Sequence, residues 1–175
     1  MSRYSKEQIK KASAIKAIFF DVDGVLTDGR IIYDETGKEI KSFHVRDGLI
    51  VAYLKKAGII TGAISGRESA AVTKRLAELK VDFCHQGIVD KAMVFEKLMA
   101  HYKLKGREVA YIGDDLNDLP VFKLSGFSVC PADSYDYIKA RADLVTHAKA
   151  GAGVLREVAD LVLESRGLLA KILKA

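Results

Sequence analysis

Apolar runs bounded by glycine or aspartate alternate along this chain with stretches whose apolar residues recur at the spacing of a helix. The predicted strands are 15–20, 59–64, 81–84, 109–112, 127–129 and 144–145. The predicted helices cover about 5–14, 47–57, 68–78 and 91–103, with a long last helix from about residue 154. This alternation is typical of βαβ units. We therefore predict an α/β fold with a doubly wound, Rossmann-like, mostly parallel sheet and helices on both faces.

One polar segment interrupts the pattern. Residues 30–33 and 39–43 carry apolar side chains and flank the turn-like sequence 34–37, which predicts a β-hairpin over about 30–43. The hairpin is too polar for a core element, so we expect it to project from the sheet. An isolated hairpin is marginally stable in water, and its apolar residues predict that it packs on something else.

Length and charge limit the class of protein. With 175 residues, 49% of them apolar, the chain has the size of one domain with a proper core, and we predict a single domain over 1–175. The net charge of +5 comes from scattered lysines and arginines, without the basic and aromatic stripe of a nucleic-acid surface. We expect no nucleic-acid partner, and an anionic small substrate explains the charge equally well.

No run has the length of a membrane span or the arrangement of a signal peptide, so we expect a cytoplasmic protein without membrane contact. Cys84 and Cys130 lie far apart and lack the spacing of a zinc site. We expect both to be buried, reduced thiols.

Side chains suited to phosphoryl chemistry follow the predicted strands. They are Asp21 and Asp23 after the first strand, Ser65 after 59–64, Asp114 after 109–112, and Lys91 at the start of a helix. Ligands of open α/β sheets bind outside the carboxyl ends of the strands, so we expect these groups to meet at one edge.

The chemistry of this set favours a metal-assisted phosphatase. Mg²⁺ is usually held by one or two carboxylates, which Asp21 and Asp114 supply. Asp21 can attack phosphorus once a metal offsets the repulsion between the two anions. Asp23 can protonate the leaving oxygen and later deprotonate water. Ser65 and Lys91 can bind the remaining phosphate oxygens, and we expect the amides of the turn after Asp23 to form a nest for them.

The segments 21–28, 64–67 and 113–118, together with Lys91, resemble the motifs of the haloacid dehalogenase superfamily in their order along the chain. This resemblance implies that Asp21 is the nucleophile and Asp23 the acid/base. It also implies a Mg²⁺ site. The ligands would be the Asp21 side chain, the Asp23 backbone carbonyl and the Asp114 side chain, with Asp115 and Asp118 in supporting roles.

Superfamily members usually add a cap domain that selects the substrate, and this chain has no room for one. The segments 43–48, 65–67 and 151–157 resemble the capless, tetrameric 3-deoxy-D-manno-octulosonate 8-phosphate phosphatase family of lipopolysaccharide synthesis. That resemblance implies a small sugar-acid phosphate as substrate. The residues that it assigns to substrate binding are Arg46, Asp47, Gly48, Arg67 and Arg75. We further expect a homotetramer in which the hairpin reaches a neighbour and helps to close its active site.

Other interpretations stay open at this stage. Relatives that hydrolyse nine-carbon sialic-type acid phosphates often carry Glu-Lys where this chain has Arg67 and Glu68, which favours the eight-carbon substrate. A receiver-like phosphoacceptor switch domain would place its acid pair first, whereas this chain places it last. Taken alone, Asp47 is typical of a turn or cap, and Arg75 of a solvated helix face.

Overall fold

The structure, a computed structural model, describes residues 3–174. Its strands are β1 (Ala17–Phe20), β2 (Ile32–Tyr33), β3 (Glu39–Ile40), β4 (Ile60–Ile64), β5 (Phe83–His85), β6 (Val109–Ile112), β7 (Phe127–Cys130) and β8 (Leu144–Val145). Its helices are α1 (Lys6–Ser13), α2 (Val45–Lys56), α3 (Ala70–Leu79), α4 (Lys91–His101), α5 (Leu119–Leu124), α6 (Asp136–Lys139), α7 (Val154–Ser165) and α8 (Leu169–Ile172).

The main sheet is parallel throughout and has the order β5-β4-β1-β6-β7-β8. The chain first builds outward from β1 in one direction and then returns to build outward in the other. This is the doubly wound order, so the predicted fold is confirmed. The point where the order reverses lies between β1 and β6, where a ligand is expected.

Apolar side chains of β1 alternate between two cores. Ile18 and Phe20 pack with α1, α2, α3 and α7, and Ala17 and Phe19 pack with α4, α5 and α6. All four residues are fully buried. A fully buried phenylalanine or isoleucine contributes about 1.5–3 kcal/mol relative to an exposed one, so this strand anchors both layers. Among residues 3–174, no helix has the length and hydrophobicity needed to cross a membrane.

Some elements differ from the sequence prediction. Helices α5 and α6 were not predicted, because at six and four residues they are too short for a helical period to stand out. The predicted last helix is interrupted after Ser165, because Gly167 adopts a left-handed φ of 67° that ends it. Cys130 is buried as expected. Cys84 is exposed, because β5 lies at the edge of the sheet.

The predicted hairpin is present, with β2 and β3 pairing antiparallel through Ile32 and Ile40. Its strands are only two residues long, and its turn contains Gly37 at a φ of 79°. The apolar side chains of Ile32, Tyr33 and Ile40 are exposed. The hairpin therefore leaves an apolar surface uncovered within this chain.

Candidate active site

The predicted catalytic residues meet at the carboxyl ends of three adjacent strands. Phe20, the last residue of β1, pairs with Ala63 of β4 and with Ile112 of β6, so the residues that follow these strands converge. They border a cavity of about 410 Å³, within the usual range for a small-molecule site. The cavity is lined by Asp21, Asp23, Gly24, Gly29, Ser65, Gly66, Arg67, Asp114, Asp115, Leu116 and Asn117.

A buried ion-pair network holds Asp21, which lines the cavity. The Lys91 ammonium donates to Asp21 Oδ2 and to Asp118 Oδ1, both at 2.7 Å, and its side chain is fully buried. The Asp118 carboxylate also accepts hydrogen bonds from the Tyr111 hydroxyl at 2.7 Å and from the Asp114 amide at 3.0 Å. Asp118 thereby links the lysine to the loop after β6. The Val22 amide donates to Asp21 Oδ1 at 2.7 Å, which fixes the orientation of that carboxylate.

The electrostatics of these groups follow from burial and mutual repulsion. Burial and the nearby Asp118 raise the pKa of Asp21, and the Lys91 charge opposes this increase. Burial, followed by the charges of Asp21 and Asp118, raises the pKa of Asp114 to about 8. For Lys91, burial works against the charged form, but the carboxylates of Asp118 and Asp21 outweigh it and raise the pKa. The site thus has more negative charge than Lys91 alone neutralises.

This surplus of carboxylates suits a divalent cation. One oxygen from each of Asp21, Asp114 and Asp118 lies within 4.8 Å of the others. Asp118 is fully buried and does not line the cavity, so Asp21 and Asp114, which do line it, are the carboxylates best placed to hold an ion. A Cβ atom at Gly24 would lie 1.9 Å from Asp114 Oδ2, so glycine is required beside this carboxylate. Its φ of 82° also favours glycine.

Asp23 lies at the rim of the cavity among several donors. The Thr27 hydroxyl donates to its Oδ1 at 3.2 Å, and the Lys41 ammonium also contacts Oδ1. Arg67 Nη1 lies 3.5 Å from Oδ2. Glu39 joins the two cations, with Oε1 at 2.7 Å from Arg67 Nη2 and 3.4 Å from Lys41 Nζ. The base of the hairpin therefore touches the site of its own chain.

The turn after Asp23 does not form the predicted nest. The amides of Val25, Leu26 and Thr27 donate to the Val22 carbonyl at 3.3, 2.9 and 3.1 Å. These donors close a tight turn and so do not face the cavity. Of the two side chains predicted to bind phosphate oxygens, Ser65 lines the cavity and Lys91 does not.

Comparison with known proteins decides the family. A family model for haloacid dehalogenase-like hydrolases matches residues 81–158. The 3-deoxy-D-manno-octulosonate 8-phosphate phosphatase of Haemophilus influenzae is 40% identical over 158 residues, which cover 90% of this chain and 88% of that protein. The chain belongs to this phosphatase family of haloacid dehalogenase-like hydrolases. It is therefore an enzyme that hydrolyses phosphate monoesters. The family assignment decides against the receiver-like switch domain.

Solved structures agree with this assignment. The phosphatase of Moraxella catarrhalis, in complex with magnesium, phosphate and the sugar acid, superposes with a TM-score of 0.93 at 38% identity, covering 98% of this chain and 99% of that one. The cobalt-bound Haemophilus influenzae enzyme superposes with a TM-score of 0.86 at 41% identity, covering 90% and 92%. Metal ions are thus bound by structural neighbours of this phosphatase.

Not all the predicted substrate residues of this phosphatase lie in the cavity. Arg67 lines it, whereas Arg46, Asp47, Gly48 and Arg75 do not. The last three border a small crevice between α2 and α3, where a Cβ atom at Gly48 would lie 2.5 Å from Arg75 Nη2. Their role in substrate binding stays a prediction.

Asp47 contacts the first turn of α7. Its Oδ1 accepts a hydrogen bond from the Arg156 amide at 2.8 Å, which caps the first turn of α7. Burial raises the pKa of Asp47 to about 6. The cap is not the local one that the sequence suggested: His44 is the N-cap of α2, and Asp47 lies in its first turn and caps a different helix.

Several residues at the site escaped sequence reasoning. The hydroxyl of Tyr111 and the side chains of Lys41 and Glu39 lie outside the motif segments. Asn117 lies inside the last motif segment but had no role assigned to it. A tyrosine near the end of an otherwise aliphatic buried strand was the available signal, because a buried hydroxyl needs a partner. No comparable signal marked Lys41.

Proposed function

We propose that this phosphatase is a Mg²⁺-dependent enzyme that forms an aspartyl phosphate on Asp21. The observation that carries the proposal is the Asp21 carboxylate itself. It is buried, fixed by the Val22 amide and by Lys91, and lines the cavity beside Asp114. A carboxylate fixed in this way can attack with little reorganisation, which is the main requirement of phosphoryl transfer.

The reaction has two half-reactions. In the first, an Asp21 oxygen bonds to phosphorus, the bond from phosphorus to the leaving oxygen breaks, and the Asp23 carboxyl gives its proton to that oxygen. In the second, Asp23 takes a proton from water as the water oxygen attacks phosphorus and Asp21 leaves. Lys91 and Ser65 would bind the non-bridging oxygens, as point charge and hydrogen-bond donor.

Asp21, Asp114 and the backbone carbonyl of Asp23 would hold the magnesium ion. When bound, Mg²⁺ neutralises charge on the phosphate and on the carboxylates. The proposal is supported by the surplus of buried carboxylates and by the magnesium named for the Moraxella catarrhalis enzyme.

We further propose 3-deoxy-D-manno-octulosonate 8-phosphate as the substrate. The names of the Haemophilus influenzae and Moraxella catarrhalis relatives support this choice. Within this chain, the Arg67 guanidinium lines the cavity with 40% of its side chain exposed and so can reach a substrate carboxylate. Neutral sugar phosphates would lack this partner.

We also propose that the enzyme is a homotetramer. Ile31, Ile32, Tyr33 and Ile40 are 45–60% exposed on the hairpin, a surface that a second subunit can cover. The tip of the hairpin would then close the neighbour's cavity, while its base keeps the contacts with its own Asp23. Replacing residues 32–40 by a short glycine-serine turn should break the oligomer in sedimentation. It should also lower activity on the sugar phosphate more than on an aryl phosphate. A wild-type monomer that stays fully active on dilution would rule this out.

Phosphate release from a panel of phosphate esters tests the function. We expect activity to require Mg²⁺ and to favour the eight-carbon acid phosphate over nine-carbon acid phosphates and neutral sugar phosphates. Asp21→Asn should abolish turnover, because an amide is a poor nucleophile, whereas Asp136→Asn at an exposed position of α6 should not change it. Preference for a nine-carbon substrate would overturn the substrate proposal but leave the chemistry in place.

A further inference from the structure

The base of the hairpin contributes a buried cation to the acid/base group. Lys41 follows β3, and its side chain is only 1% exposed. Its ammonium contacts Asp23 Oδ1 and lies 3.4 Å from Glu39 Oε1. A lysine with so little exposure is unusual unless its charge is paired, and here both partners are carboxylates.

Lys41 acts through Asp23 and does not itself line the cavity. The residues that border the cavity include Asp23 and Arg67 but not Lys41. What Lys41 can change is the position of the Asp23 carboxylate.

The two oxygens of Asp23 have different surroundings. Oδ1 accepts from the Thr27 hydroxyl at 3.2 Å and also contacts Lys41. Among residues 3–174, the hydrogen-bond or ion-pair partner of Oδ2 is Arg67, at 3.5 Å, and that side chain is 40% exposed. Oδ1 is therefore held by two donors, whereas Oδ2 is the oxygen available to a leaving group.

We propose that Lys41 is a positioning residue of the phosphatase reaction: with Thr27 it holds Asp23 Oδ1, and so presents Oδ2 as the oxygen that gives and takes the proton. The inference rests on the acid/base role proposed above for Asp23. Glu39 adds to the arrangement by holding Lys41 and Arg67 together. In this way the hairpin is tied to the chemical step of its own subunit.

The test uses a series of substituted phenyl phosphates of similar size. A nitro-substituted phenolate leaves with little help, whereas an unsubstituted phenolate needs a proton from the acid. The quantity to measure is kcat/KM, which covers the steps up to the first irreversible one. Lys41→Met should lower kcat/KM for phenyl phosphate about 10- to 100-fold but for 4-nitrophenyl phosphate less than about threefold, because only the proton transfer is misplaced.

Matched variants separate positioning from folding. Lys97→Met removes an exposed lysine of α4, outside the hairpin and the site, and should leave the whole series unchanged. Lys41→Arg keeps the charge and should recover most of the loss. If Lys41→Met does not fold, Lys41→Gln, which is neutral but polar, replaces it and should show the same selective loss. An equal loss across the whole series, or no loss, would overturn the inference.

Asp23→Asn in the same series separates the proposed role of Lys41 from the proposed role of Asp23. If Asp23→Asn selectively slows poor leaving groups and the Lys41 variants do not, Lys41 is not a positioning residue while the proposed function stands. If Asp23→Asn slows all substrates equally, Asp23 is not the acid, and both proposals on this group are overturned.

Discussion

Replacing Lys91 by methionine removes the positive charge on which the buried carboxylates of the site depend. Lys91 Nζ lies 2.7 Å from Asp21 Oδ2 and 2.7 Å from Asp118 Oδ1, and the side chains of both Lys91 and Asp118 are fully buried. Removing one partner of such a network leaves uncompensated charge, at a cost of about 3–5 kcal/mol. That is a large part of the total stability of about 5–15 kcal/mol expected for a domain. We predict a loss of this size in metal-free protein.

Urea unfolding in the presence of a chelator measures this loss of stability. The matched control is Lys97→Met, which replaces an exposed lysine of α4 and should change the free energy of unfolding by no more than about 0.5 kcal/mol. Burial already raises the pKa of Asp21 and Asp114, so these two groups bind more protons in the folded state than in the unfolded chain. Their contribution to stability therefore falls as pH rises through this range, and the deficit of Lys91→Met should be larger at pH 8 than at pH 5. Added Mg²⁺ should reduce it. A loss below about 1 kcal/mol, or one unaffected by pH and Mg²⁺, would refute this account of the network.

Calcium should not replace magnesium in phosphate release assays, because it accepts more oxygens and can engage both oxygens of Asp21; comparable rates would contradict this. Gly24→Ala should abolish activity and weaken Mg²⁺ binding measured by calorimetry, because its Cβ would lie 1.9 Å from Asp114 Oδ2. Gly37→Ala, with a similar φ of 79° but nothing within 4 Å, controls for backbone strain and should stay active. Asp47→Asn should raise the free energy of unfolding at pH 7 by up to about 3 kcal/mol and change it little at pH 4. The reason is that burial raises the pKa of Asp47 to about 6, so the wild-type folded state loses stability between these pH values. A decrease at pH 7 would show that the charge is needed.

The parts of the fold that depend on local pattern were predictable. The apolar strands β1, β4 and β6 determine where Asp21, Ser65 and Asp114 lie, because side chains that follow neighbouring parallel strands meet at one edge. The start of α1 was likewise predicted near residue 5, where the structure has a capping box formed by Ser5 and Gln8. These features rest on residues close together in sequence or on the regular geometry of a parallel sheet.

Features that depend on distant partners were not predictable. Lys41 is buried only because Asp23 and Glu39 surround its ammonium, and no local pattern distinguishes it from the exposed Lys38. The amides of Val25, Leu26 and Thr27 donate to the carbonyl of Val22, which depends on the geometry of one turn. The position of the predicted substrate residues around Asp47 depends on how α2 and α7 pack, which composition and periodicity do not specify.

The central claim is that phosphate passes through a covalent bond to Asp21. Acid quenching during turnover, followed by peptide mass spectrometry, tests this directly. Asp23→Asn should increase the amount trapped, because the second half-reaction also needs this group. The account predicts phosphate on the peptide that contains Asp21, in wild-type and Asp23→Asn protein, and none in Asp21→Asn. Rapid phosphate release without a phosphorylated carboxylate, or phosphate on a different residue, would contradict it.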